Sequence, residues 1–82
     1  MSAEANKALS KAKIALMNIP EAVFFSSLCL SMNYKWDDTC PTAYTDYKSI
    51  AFNIQFFMEL TPSERIFLLL HETMHVAYMH NL

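Results

Sequence analysis

With 82 residues, the chain has room for one small domain, whose core leaves much of the unfolded surface in water. Its 54% hydrophobic and 17% charged residues exclude a disordered chain, and a formal net charge of −2 leaves neither a basic footprint for nucleic acid nor a polybasic membrane patch. Glycine is absent, so any turn that needs a positive φ has to be made by Asn, Asp or another L-residue.

From Ala3 to Asn18, the residues Ala8, Leu9, Ala12, Ala15 and Leu16, with Ile19 just beyond, recur at helical spacing while Lys7, Lys11 and Asn18 stay polar, which predicts an amphipathic helix. Lysines 7, 11 and 13 have no uninterrupted apolar block beside them, so this segment does not read as a signal peptide. Pro20 ends the helix, and Glu21 suits the first turn of a new one. The run AVFFSSLCL that follows fits a short helix or a buried strand, with helix preferred; Ala22 to Met32 is too short and too rich in serine to span a bilayer. Cys29 and Cys40 match neither a CxxC redox motif nor a zinc knuckle; one disulfide is open to them, and two reduced thiols in a cytoplasmic protein is the reading preferred.

Asn33 to Thr42, with Trp36, Asp37, Asp38 and Pro41, reads as a loop. Thr42–Thr45 and Ser49–Phe52 are β-prone and flank the polar Asp46-Tyr47-Lys48, which predicts a hairpin. Asn53 then caps a short helix through Glu59. The clearest start signal in the chain is Thr61-Pro62-Ser63-Glu64, a T-x-x-E capping box with proline at the first helical position. It opens a helix from Pro62 to about Tyr78 that is apolar on nearly every side, as in a helix buried at the centre of a domain.

Inside that helix lies His71-Glu72-Thr73-Met74-His75, an HExxH motif. Four residues turn a helix by about 400°, so the two imidazoles sit about 40° apart and one turn along the axis, close enough to chelate one ion. Catalytic zinc sites take three protein ligands and leave a fourth position for water, and Glu72 is placed to accept that water's proton. Imidazole favours Zn2+ but also accepts nickel, copper or iron. Taken singly, His71 and His75 would read as ordinary histidines and Glu72 as a solvated carboxylate; the spacing inside an apolar helix is what points to a metal. His80, five residues beyond His75, would point about 140° away on an unbroken helix, so it becomes the third ligand if the helix ends near Tyr78. Otherwise it complements the helix dipole, and Asp37, Asp38 and Asp46 are the other loop candidates. Trp36, Tyr44, Tyr47 and Tyr78 read as packing before pocket wall, and Met58, Met74 and Met79 as core filler.

The segment PTAYTDYKSIAFNIQFFMELTPSERIFLLLHETMHVAYMH resembles a family, the putative metallopeptidase domain found N-terminal to von Willebrand factor A-like domains in bacterial and phage proteins. Thr42, Ala43, Thr45 and Asp46 match its hairpin and Asn53 its helix-capping Asn. Thr61, Pro62 and Glu64 match its cap, and His71, Glu72, His75, Val76, Ala77 and His80 its site. The N-terminal part, with Pro20, Phe24, Phe25 and Leu28, fits more loosely. Tyr47 stands where that family has glycine, so the turn has to be built differently, with Asp46 as the residue to absorb unusual backbone angles. The family continues beyond its last histidine, whereas this sequence stops at Leu82, which reads as a fragment or a minimal version.

The resemblance implies an α+β, mainly helical, zincin-like domain over residues 1–82, with one short β-hairpin beside a buried HExxH helix. The hairpin's edge strand would pair with an extended peptide. It further implies Zn2+ as cofactor, with His71, His75 and His80 as metal ligands and Glu72 as catalytic base in peptide-bond hydrolysis. A peptide or protein is the expected partner, along with a von Willebrand factor A-like domain or partner chain; no nucleic acid or membrane is expected. The rival reading is a non-catalytic protein-binding module with a structural or vestigial metal site, using apolar surface around Phe24, Phe25, Phe56 and Phe57.

Overall fold

The structure, a computed structural model, describes residues 3–79. Helix α1 (Ala3–Met17) buries Ala5, Leu9, Ala12 and Leu16, a stripe with the three- and four-residue spacing of one helical face. Pro20 opens a 3-10 turn (Pro20–Ala22), where the chain bends by 98° into α2 (Val23–Ser31), so the apolar run is helical, as preferred. No single helix among the described residues is long and apolar enough to cross a membrane.

The expected loop at Asn33 is corrected in its first half. Asn33–Trp36 form a strand, β1, which pairs in parallel with β3 (Ser49–Phe52). The hairpin is present: β2 (Ala43–Thr45) runs antiparallel to β3, giving a three-stranded sheet in the order β1-β3-β2. Polar Asn33 and Lys35 hid β1 because they point to solvent, while Tyr34 and Trp36 turn inward. Trp36 lies against Phe52 and Phe57, with ring centroids 6.1 and 5.4 Å apart, and its Nε1 donates to Asn6 Oδ1 of α1 at 2.8 Å. Tyr34 Oη donates to the Cys29 carbonyl at 2.7 Å and lies 2.8 Å from Cys29 Sγ, which leaves the thiol as donor in that second contact. Both cysteines are free thiols.

The glycine-free turn between β2 and β3 is closed by Asp46, whose Oδ1 accepts from the backbone N–H of Lys48 at 2.8 Å and of Ser49 at 2.7 Å. Asn53 joins three segments. Its Oδ1 caps α3 (Ile54–Glu59) by accepting from Phe56 N at 2.9 Å. Its Nδ2 donates to the Cys40 carbonyl at 3.0 Å, and its backbone N–H to that of Thr42 at 2.8 Å.

Helix α4 (Pro62–Met79) begins with the expected capping box, Thr61 N donating to Glu64 Oε1 at 2.8 Å and Glu64 N to Thr61 Oγ1 at 3.2 Å. Arg65 reaches back to the end of α3, donating to the carbonyls of Phe57 at 3.1 Å and Met58 at 3.0 Å. The helix packs against α1 and α2, and β2 approaches it from the sheet. Leu69 and Val76 join Leu16, Ile50, Phe52 and Phe57 in the core. One face stays open, contrary to the expectation of burial on nearly every side: Phe67, His71, Met74, His75 and Tyr78 are exposed. The five consecutive apolar residues Ile66 to Leu70 mask the period of the helix, which leaves this stripe without a covering element among the described residues. Met74 and Met79 are therefore surface residues, not core filler, and Phe57, expected at a binding surface, is fully buried.

Candidate metal centre

On the open face of α4, His71 and His75 bring their Nε2 atoms to 3.1 Å, with the two rings nearly perpendicular at 88°. The separation has a direct chemical meaning. Two imidazole nitrogens on one tetrahedral zinc, each at about 2.05 Å, are about 3.3 Å apart. At 3.1 Å the two nitrogens are also at hydrogen-bond distance, one donating and the other accepting according to tautomer; with both rings carrying their proton on Nδ1, both Nε2 lone pairs face a cation. One turn before the pair, Phe67 lies beside His71 with ring centroids 6.2 Å apart and planes 23° from parallel. The sequence reading missed this contact, although the four-residue spacing carries it.

Glu72 lies about 60° round the helix from His75. It is the charged residue of the motif and, at 8% exposure, is buried rather than solvated. Among the described residues its carboxylate has no hydrogen-bond or ion-pair partner. Among the described residues, Thr73 Oγ1 is the buried side-chain polar atom that lacks both a partner and contact with solvent. A carboxylate that is packed along its length and has no partner among the described residues, beside two converging imidazoles, is placed to hold a water molecule.

The donor set for a metal is incomplete among the described residues: they contain no group of three or more His, Cys, Asp or Glu side chains arranged to hold an ion. His80 lies outside the described residues. Asp37 and Asp46 are engaged elsewhere. Asp37 accepts from the backbone N–H and hydroxyl of Thr39 and from Tyr44 Oη, and these hydrogen bonds hold its carboxyl below the usual range. Asp46 is held low by the backbone N–H groups of its turn. Both belong to the architecture of the hairpin rather than to the histidine pair. The pair itself fits an imidazole-loving divalent ion, supplying two of its ligands.

A family described as "putative metallopeptidase domain" matches the chain over residues 4–82. No curated protein and no solved structure gives a match.

Proposed function

We propose, from the premise that this chain belongs to the family of putative metallopeptidase domains, that it is a zinc-dependent hydrolase of peptide bonds. The observation that carries the reading is the convergence of His71 Nε2 and His75 Nε2 to 3.1 Å on an open helix face, beside Glu72, whose carboxylate has no partner among the described residues. His71 and His75 would hold the ion, with His80 as third ligand. Zinc bound there would supply a Lewis acid able to bring the pKa of water to about 7.

The chain's own residues then divide the remaining work. Glu72 takes a proton from the water whose oxygen adds to the scissile carbonyl carbon. It returns a proton to the amine as the C–N bond breaks, so the group ends ionised as it began. Packing of its stem fixes where the carboxylate stands. Strand β2, at the edge of the sheet and close to α4, offers free backbone groups to an extended peptide. Phe67 flanks the His71 ring on the same open face.

Elemental analysis of the purified protein tests the site, with about one zinc per chain expected, lost on chelation. A peptide-hydrolysis assay then compares wild type with Glu72→Gln. The variant is expected to keep its zinc and its circular dichroism spectrum while turnover falls by at least about 10²-fold. Undiminished hydrolysis in Glu72→Gln, or a protein that takes up no metal, defeats the mechanism.

A second reading, a metal-stabilised module that binds another protein without cleaving it, is favoured by the exposed Phe24, Phe67 and Tyr78 around the site. It predicts zinc uptake and partner binding with no hydrolysis in either protein.

A further inference from the structure

Beside the histidine pair, α2 and α4 frame an apolar groove of about 460 Å³ lined by Phe24, Phe25, Met74, Ala77 and Tyr78. Phe24 and Phe25 form its α2 wall, edge to face with centroids 5.2 Å apart. Phe24 is 53% and Tyr78 73% exposed, a large apolar area to leave in water on a chain this short. The opposite wall belongs to the same helix as the metal pair. Met74 follows His71, and Tyr78 follows His75, by three residues, the spacing at which helical side chains are neighbours. Along the axis each wall residue is about 4.5 Å beyond its histidine, little more than the 3.3–3.4 Å rise of one residue in an extended peptide. A ligand whose peptide group lies at the imidazoles therefore carries a side chain to the groove within one or two residues.

We propose that this groove is a specificity pocket, receiving a large unbranched or γ-branched apolar side chain (Leu, Met or Phe) of a peptide bound at the histidine pair. The inference rests on the peptide-hydrolase reading and names the substrate class. Its volume lies within the range of ligand pockets. Among the described residues no charged side chain lines the groove, so an ammonium or carboxylate side chain would lose water there without gaining a partner from them. Met74 is the adaptable wall, since an unbranched thioether adjusts to aliphatic and aromatic guests alike. Phe24 and Tyr78 close over the guest from the two helices.

The test uses the full chain carrying Glu72→Gln and loaded with zinc, so that peptides bind without being consumed. The probes are N-acetylated alanine tetrapeptide amides with Leu at each position in turn, against all-alanine and lysine-substituted controls, titrated by NMR. At one position Leu is expected to tighten binding by about tenfold over alanine, with the Met74 methyl and Phe24 ring signals moving and lysine giving no gain. Phe24→Ala or Tyr78→Ala in the same background should shrink the preference to within about twofold while zinc content stays unchanged. Equal affinity for Leu and alanine peptides, no binding of any Leu peptide, or signal changes that bypass Met74 and Phe24 overturn the pocket. Selective binding without wild-type hydrolysis would uphold the pocket and sink the hydrolase reading. Hydrolysis by wild type with no preference for a large apolar residue would do the reverse.

Discussion

Two adjacent residues of α4, Glu72 and Thr73, are polar and buried, and the placement of Thr73 has a measurable consequence. Thr73 is completely buried, and its hydroxyl has no partner among the described residues, whereas Glu72 keeps a small exposed fraction. A sealed, unsatisfied hydroxyl costs about 1–3 kcal/mol, and valine has nearly the same shape without it. Thr73→Val is therefore expected to raise unfolding stability by about 1 kcal/mol, read as a higher denaturant midpoint at unchanged slope; a lower midpoint would show that the hydroxyl has a partner. The sequence made the motif legible because HExxH is a spacing argument, and spacing on a helix is geometry. Burial at single positions was not legible. Whether Glu72 is solvated depends on how closely α4 is packed on either side, which no four-residue window contains.

Elements that declare themselves by capping and turn chemistry were read well: α3 and α4 start where Asn53 and Thr61 place them, and the hairpin closes at Asp46. Strand β1 escaped because a short strand with one face in solvent looks like a polar loop, and its partner β3 lies beyond an intervening strand. Asp46 makes the hairpin sensitive to acid. Its carboxyl is held below its ordinary value in the folded chain, so the stability it contributes is present above about pH 4 and is lost as pH falls through the lowered folded value. Asp46→Asn keeps the Oδ1 acceptor and removes the charge, and is expected to flatten the acid side of the stability profile in circular dichroism titrations. An unchanged acid limb would assign that sensitivity to Asp37, held low in the same way. At the α3–α4 junction, Arg65 binds two terminal carbonyls of α3 with one planar group. Arg65→Ala should lower stability by about 1–2 kcal/mol, and Arg65→Lys should recover less than half of that, since an ammonium lacks the fork; equal stability of the Lys variant and wild type would show that geometry is irrelevant there.

At the scale of the whole molecule, a chain of 82 residues has little stability to spare, so an ion bound only by the folded state should be visible in its melting. Free zinc at about 100 times its dissociation constant adds about 2.7 kcal/mol, which in a domain of this size raises Tm by at least about 10 °C. Wild type should show this rise and lose it on chelation, whereas His75→Ala should melt alike with and without zinc; a rise in both would place the ion elsewhere. The overall class, mainly helical with a small sheet, followed from periodicity and from the family resemblance. The open face of α4 did not, because a helix so rich in leucine gives no sign of which stripe its neighbours leave uncovered. The sheet has a further consequence, in the time domain. Strand β3 meets β2 across a turn of three residues but meets β1 only after the chain from Asp37 to Lys48 has returned alongside it. Closing the longer loop is entropically the more demanding step, so the hairpin forms first and β1 adds to it afterwards. Until it does, one side of β3, the most buried strand of the fold, is a bare edge, and the moments before β1 arrives are when a newly made chain is most exposed to pairing with a neighbour.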